Sequence, residues 1–239
     1  MKQKIDKFIF AIALALVISP VQSLNAQSWD TLPGTLQNLN VLDFIQYHDT
    51  LVLTGNFGEI MPLTNSNVVV GWDSINYYSL PGIEDGSMGK VLYVYDGDLY
   101  LGGNFDDTHE EDDVEKLAVW NGSTWERVYQ GSFDFQSHVT HMIEYKDSLY
   151  VGGSYWFEDD PSMLNLLKYK DGSFHSCMPY NSYCWALGVY DDILYSGIYS
   201  AFYLDSGDLV HSFAQYNGEY WDHVYDKDGE IFAPIITNL

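Results

Sequence analysis

The sequence predicts an all-β fold built from about four copies of a four-stranded antiparallel unit. The phrase Leu-Tyr-Leu-Gly-Gly-Asn-Phe at 99–105 recurs in altered form at 51–57, 149–155 and 194–199. Aromatic residues stand at matching places between these phrases, at intervals of 48, 48, 49 and 47 residues: Trp29, Tyr77, Trp125, Phe174 and Trp221. A fixed period of this length is the signature of tandem structural repeats.

The chain begins with a segment typical of a secretory signal peptide, residues 1–26. Three lysines precede the apolar run 8–17, and a short polar stretch ending at Ala26 follows it. The apolar run is too short for a membrane-spanning helix, which needs about 20 residues. We therefore expect cleavage after Ala26, a secreted or periplasmic mature chain, and no membrane association after cleavage. An uncleaved anchor is the alternative.

Each repeat divides into four short strands. The first strand ends in a tyrosine, the second carries the glycine-containing phrase, the third ends in Trp or Tyr, and the fourth holds the periodic aromatic residue. The resulting single domain, 27–239, comprises repeats at approximately 30–77, 78–125, 126–174 and 175–221, with a partial repeat at 222–239. The repeated glycine pair predicts a β-bulge or a close approach by a neighbouring sheet.

Asn-Gly pairs mark the connection between the third and fourth strands. Asn121-Gly122 and Asn217-Gly218 are of the type that permits positive φ at two consecutive turn positions. They predict a tight reverse turn at each place.

Four-stranded antiparallel units repeated in tandem predict the blades of a β-propeller. Bulky aromatic residues such as Phe105 and Tyr155 would fill the space between blades. The number of blades stays open, because Trp29 supplies a fifth copy of the fourth strand and the tail 226–239 could begin a further blade. A short five-bladed ring, an open array and a truncated piece of a longer propeller are the alternatives, and an incomplete array is favoured over a regular four-bladed ring.

The phrase at 99–105, together with Trp-Asn-Gly-Ser-Thr-Trp at 120–125, resembles the repeats of secreted bacterial propellers of the kelch and galactose-oxidase central-domain type. It is similar also to repeats of fungal cortical marker proteins. Such repeats occur in enzymes, in adhesins and in proteins of no known role, so the resemblance implies a fold and not a function. The copper oxidase activity is not transferred, because no set of tyrosine, histidine and cysteine ligands can be placed.

The charge of the chain restricts its partners. Ten basic residues stand against 34 acidic ones, giving a formal net charge of −24. Such a surface repels nucleic acid and anionic membranes, and it favours cationic partners, multivalent cations or simple solubility. A monomer is expected.

One acidic run suggests a calcium site. Residues 106–115 include Asp106, Asp107, Asp112 and Asp113, whose carboxylate oxygens are ligands that calcium prefers. Their spacing matches no EF-hand loop, and a solvated loop is the alternative. Apart from this calcium ion, no cofactor is predicted.

The two cysteines, Cys177 and Cys184, are seven residues apart in the predicted mature chain. In an oxidising compartment they could form a local disulfide, and two reduced, partly buried thiols are the alternative.

Three aromatic residues are candidates for ligand binding: Trp156, Tyr183 and Trp185. Exposed aromatic side chains at loops stack on sugars or anchor protein partners. The sequence contains no recognisable nucleophile motif or phosphate-binding loop. The preferred function is therefore a secreted non-catalytic propeller that binds a protein or a glycan through its loops. The alternatives are a hydrolase, lyase or oxidase with a site on the axial face, and a truncated fragment of a larger propeller protein.

Overall fold

The computed structural model describes residues 35–36, 40–57, 60–61, 68–83, 88–106, 114–134, 137–177, 182–204 and 206–231. Within these residues the fold is all-β and contains no helix. None of the described segments forms a helix long and apolar enough to cross a membrane. The predicted signal peptide 1–26, Trp29 and the last residues, 232–239, lie outside the described residues.

The described strands are β1 (Thr35–Leu36), β2 (Asn40–Tyr47), β3 (Thr50–Asn56), β4 (Ile60–Met61), β5 (Val69–Trp72), β6 (Tyr77–Ser79), β7 (Met88–Tyr95), β8 (Asp98–Asp106), β9 (Glu115–Trp120), β10 (Trp125–Arg127), β11 (His138–Glu144), β12 (Leu149–Trp156), β13 (Leu164–Lys170), β14 (Ser173–Ser176), β15 (Cys184–Tyr190), β16 (Ile193–Ile198), β17 (Phe202–Tyr203), β18 (Leu209–Val210), β19 (Phe213–Tyr216) and β20 (Trp221–His223).

Sixteen of these strands form four antiparallel four-stranded sheets: sheet I (β2-β3-β5-β6), sheet II (β7-β8-β9-β10), sheet III (β11-β12-β13-β14) and sheet IV (β15-β16-β19-β20). Two small two-stranded sheets, β1-β4 and β17-β18, accompany them. The prediction of an all-β chain with repeated four-stranded antiparallel units is confirmed.

Two-residue turns join the first and second strands of sheets I, II and IV and the third and fourth strands of sheet III. Asp96 and Gly97 both have positive φ (51° and 87°), as do Asp191 and Asp192 (51° and 58°). Two consecutive positive φ angles define the type I′ turn, whose twist matches that of a β-hairpin. Asp and Gly tolerate this conformation best, which explains why acidic residues recur at this point of the repeat.

The prediction for the two Asn-Gly turns is wrong in detail. Gly122 and Gly218 have positive φ, whereas Asn121 and Asn217 do not. Each asparagine instead uses its side-chain oxygen as a turn acceptor: Asn121 Oδ1 accepts hydrogen bonds from the backbone N–H groups of Ser123 and Thr124, at 2.8 and 2.9 Å. Each of these Asx turns spans four residues between the paired strands. Such a turn can be longer than two residues because the asparagine side chain accepts hydrogen bonds from two of its backbone N–H groups.

The glycine pair has two separate structural causes. The first strand of every sheet carries a β-bulge, and in sheets I to III a glycine faces it: Gly55, Gly103 or Gly153. At Gly103 an added Cβ would lie 2.2 Å from the carbonyl oxygen of Met88 in the same sheet. At Gly102 an added Cβ would lie 2.5 Å from Val139 of sheet III. The sequence left a bulge and a close approach as alternatives, and both occur.

The four sheets pack face to face in chain order, because side chains alternate between the two faces of each strand. Sheet II, for example, turns Leu99, Leu101 and Ala118 toward sheet I and turns Tyr100 and Leu117 toward sheet III. Three apolar cores result, one each between sheets I and II, II and III, and III and IV. Phe105 and Tyr155 are buried in the first and second of these cores, as the sequence predicts.

Tyrosine and tryptophan side chains also join neighbouring sheets by hydrogen bonds. The Tyr95 hydroxyl donates to the Asp147 carbonyl of the next sheet, at 3.1 Å, and the Tyr145 hydroxyl donates to the Asp192 carbonyl, at 2.9 Å. At the outer strands, the Trp125 indole N–H donates to the Leu80 carbonyl of the preceding sheet, at 3.2 Å. The aromatic residues therefore fix the register of one sheet on the next as well as filling the core.

We expect Gly102→Ala to lower the free energy of unfolding by about 1 to 3 kcal/mol, because its methyl group would force sheet III away. Gly188→Ala is the matched control, since no atom lies within 4 Å of an added Cβ there. Urea unfolding of both variants checks this. Equal stability of the two variants would contradict the close packing at Gly102.

Candidate functional site

An open cleft of about 990 Å³ lies along the outer strands of sheets III and IV. Its walls combine aromatic, basic, acidic and hydroxyl side chains, among them Lys168, His175, Tyr216, Tyr220, Trp221 and Asp222. The volume is at the upper end of the range found for small-molecule sites in proteins. This cleft is the candidate functional site.

Sheet III supplies the basic wall. Lys168 and His175 are paired residues on β13 and β14, so their side chains share one face of the sheet. That face is turned toward sheet IV, because Leu166, two residues before Lys168, is buried in the core between sheets III and IV. The equivalent residues of sheet II are Val119 and Glu126. Sheet III therefore carries two basic side chains at a position where sheet II carries one apolar and one acidic side chain.

Sheet IV supplies the aromatic wall. Trp221 is buried beside Tyr216, with ring centroids 5.0 Å apart, and its indole N–H donates to the Cys177 carbonyl of sheet III. This bond holds the wall in place and occupies the indole donor. Tyr220 follows the Asx turn at Asn217 and is 54% exposed, so its ring is available to a ligand.

The polar groups of the cleft can both donate and accept hydrogen bonds. Asp222 accepts from the Tyr225 hydroxyl at 3.0 Å and from the backbone N–H of His223 at 2.7 Å, which fixes its carboxylate. Among the described residues of the chain, no group of three or more His, Cys, Asp or Glu side chains is arranged to hold a metal ion. The geometry of this cleft suits ligand binding.

The three aromatic residues singled out from the sequence lie elsewhere. Trp185 is the bulge residue of β15 and is 50% exposed, and the half-buried Tyr183 lies near it. The ring of Tyr199 lies 6.0 Å from the Tyr183 ring and 6.1 Å from the Trp185 ring, so the three form one aromatic group. Trp156 ends β12 and is partly exposed, which corrects its expected place in a loop.

The cleft is not among the sites predicted from the sequence. Its residues fall on strand and turn positions that the repeat pattern assigns to packing. The available signal was the pair Lys168 and His175, two basic residues at a place where the other repeats carry none.

Of the four residues predicted to bind calcium, the structure describes Asp106 alone. Asp106 ends β8, paired with Glu115 at the start of β9, so the acidic run does connect the second and third strands. Asp107, Asp112 and Asp113 lie outside the described residues. Calcium binding there stays a prediction.

Cys177 and Cys184 are free thiols in the structure, and no disulfide joins them. Burial raises the pKa of the Cys184 thiol to about 11, and burial raises the pKa of Cys177 as well. Both thiols therefore stay protonated at neutral pH, and a protonated thiol is a poor nucleophile. Although Cys177 lines the cleft, its thiol is not suited to covalent catalysis.

The chain matches no protein-family model and no curated protein sequence.

The raised pKa of Cys184 predicts a pH effect on stability. A thiol whose folded pKa lies above its ordinary value of 9.0 stabilises the fold below about pH 9, and that stability is lost as pH rises toward 11. Between pH 9 and 10 we expect the reduced chain to lose about 1 kcal/mol more of its free energy of unfolding than Cys184→Ala does. Tyrosine ionisation affects both proteins equally.

Urea unfolding at the two pH values, with reducing agent, measures this difference. Equal losses in the two proteins would contradict a buried Cys184 thiol. A thiol assay on the denatured, unreduced chain is the companion measurement. Two reactive thiols are expected, and none would establish the disulfide instead.

Proposed function

We propose that the protein is a non-catalytic binding scaffold whose cleft between sheets III and IV takes a neutral saccharide. The observation that supports this most directly is the combination of the exposed Tyr220 ring with side-chain donors and acceptors on the facing wall. Sugar rings present apolar C–H faces to aromatic rings and present hydroxyl groups that both donate and accept hydrogen bonds.

The charges of the cleft favour a neutral ligand. Lys168 and His175 lie on the sheet III wall and Glu219 lies on the sheet IV side, with Asp222 at the outer edge of the cleft, so neither sign dominates locally. The whole chain carries a net charge of −24, which repels anionic ligands at longer range. A neutral ligand rich in hydroxyl groups can use both walls without leaving a charge unpaired.

We further propose that the four sheets are consecutive blades of a β-propeller resembling the kelch and galactose-oxidase central-domain type. Face-to-face packing of four-stranded antiparallel sheets in chain order supports this arrangement. Secretion of the chain is part of the same proposal, and the leader-like composition of residues 1–26 supports it.

A tyrosine variant tests the saccharide site. We expect Tyr220→Ala to weaken binding of a neutral oligosaccharide about tenfold, since loss of one stacking contact costs about 1.4 kcal/mol. The matched control is Tyr203→Ala, which removes a ring of similar exposure, 58%, that does not line the cleft. Isothermal titration against a panel of neutral oligosaccharides, followed by the two variants with the best binder, gives the comparison.

Three results would overturn the proposal. They are no binding by any oligosaccharide of the panel, equal weakening by Tyr203→Ala and Tyr220→Ala, and cleavage of the oligosaccharide by the chain. The last result would assign an enzyme to this cleft rather than a binding scaffold.

A further inference from the structure

We propose that the free face of sheet IV is one half of a further sheet–sheet interface, and that sheet I of a second copy of this chain is the other half. Sheets I and IV lie at the two ends of the packed series, so within the part of the chain that the structure describes each has one face that packs on no other four-stranded sheet. This inference is independent of the saccharide cleft. It rests on three contacts that the II–III and III–IV interfaces both make and that these two faces leave unmade among the described residues.

The first contact is made over the glycine of the second strand. Val139 of sheet III sits 2.5 Å from the Cβ position of Gly102, and Cys184 of sheet IV sits 2.6 Å from that of Gly152. The equivalent residue of sheet IV is Gly197, where the nearest described atom is Ala186 Cβ of the same sheet, at 3.3 Å. The space above Gly197 therefore lacks a residue of a neighbouring sheet such as Val139 or Cys184, which fill the space above Gly102 and Gly152.

The second contact is made between aromatic rings. Tyr100 of sheet II lies 6.1 Å from Tyr169 of sheet III, and Tyr150 of sheet III lies 6.3 Å from Tyr216 of sheet IV. The equivalent residue on the free face is Tyr195, whose ring stacks only on Phe213 of its own sheet among the described residues.

The third contact is made by the tyrosine that ends the first strand. Tyr95 and Tyr145 each donate a hydroxyl hydrogen bond to a turn carbonyl of the following sheet. Their equivalent in sheet IV is Tyr190, which is 75% exposed, whereas Tyr145 is 3% exposed. The free face of sheet IV thus carries the three groups that sheets II and III use at their interfaces with the following sheet: a glycine, an aromatic ring and a tyrosine hydroxyl.

Sheet I carries the complementary groups. By their positions in the repeat, Val41 corresponds to Val139, Trp72 to Tyr169, and the Asp49 carbonyl to that of Asp147. Val41 is 43% exposed, whereas Val139 is fully buried. Phe44 is 63% exposed, whereas its equivalent Met142 is 7% exposed. These apolar side chains have the chemistry of a core and the exposure of a surface.

The two faces are also suited to each other in charge. On the free face of sheet I, the residues paired across the four strands with Phe44 and with Leu51 include no charged residue. The corresponding residues on the free face of sheet IV include one, Asp222, on the outer strand. The net charge of −24 opposes association at long range, so the interaction should strengthen as salt screens that repulsion. A contact between different faces is heterologous, and the copies join head to tail.

Sedimentation equilibrium of the purified chain tests the proposal, at about 1 to 100 µM and at low and high salt. We expect masses that are multiples of the single chain, with more assembly at high salt. Val41→Glu should abolish assembly by placing a charge in the interface. Ile75→Glu is the matched control, because Ile75 is an exposed apolar residue in a turn of the same sheet. This variant should assemble like the unaltered chain.

A second variant, Gly197→Val, should also abolish assembly, since its side chain occupies the place of Val41. The decisive measurement is a mixture of Val41→Glu with Gly197→Val. Val41→Glu keeps an intact sheet IV face and Gly197→Val keeps an intact sheet I face, so the mixture should form a one-to-one complex. A variant that is unfolded or that aggregates nonspecifically would not form such a complex.

The proposal is overturned if the unaltered chain stays monomeric at all concentrations and salt conditions. It is overturned equally if Val41→Glu assembles like Ile75→Glu, or if the two complementary variants do not combine when mixed.

Discussion

The close approach of each sheet to the one before it is the constraint on which the rest of the structure depends. Because Gly102 and Gly152 have no side chain, the first strand of the next sheet can place Val139 or Cys184 directly against them. This short distance brings the tyrosine rings of one sheet into contact with those of the next and brings tyrosine hydroxyl groups within reach of turn carbonyls. The packing is thus directional, since at the II–III and III–IV interfaces the earlier sheet carries the glycine and the later sheet fills it, whereas at the I–II interface Thr54 of sheet I lies against Gly89 of sheet II.

The same constraint accounts for the cleft. Where apolar residues meet across two sheets, the space between them closes, as it does around Trp120 and Trp125 of sheet II. Between sheets III and IV the indole N–H of Trp221 still donates to the Cys177 carbonyl, but Lys168 and His175 line an open cleft beside it. Burying these basic side chains without a partner would cost their solvation. A local departure from the apolar pattern therefore leaves an accessible site on a scaffold whose inner strands remain tightly packed.

Much of this architecture could be predicted from the sequence, because many residues of the repeat have strong backbone preferences. The glycine-containing phrases each predicted a real strand, and so did four of the periodic aromatic residues: Tyr77, Trp125, Phe174 and Trp221. The bulge opposite Gly103 and the Asx turns at Asn121 and Asn217 could be predicted only in part, since a side-chain oxygen competes with the backbone for the same N–H groups. The cleft could not be predicted, because it depends on which face of β13 carries Lys168, and that is decided by packing across two sheets.

The two end faces follow from directionality as well. An interface with different sides cannot be satisfied by any finite series of sheets unless the last sheet meets the first, within one molecule or between molecules. In this structure Phe44 and Tyr190 are exposed at opposite ends of the series, so the described sheets do not satisfy them. Their chemistry is that of the internal interfaces, and so the most economical partner is a surface of the same kind. A second copy of the chain offers that surface in the correct orientation. The low local charge of both faces avoids repulsion at the contact itself, while the net charge of −24 still opposes association at long range.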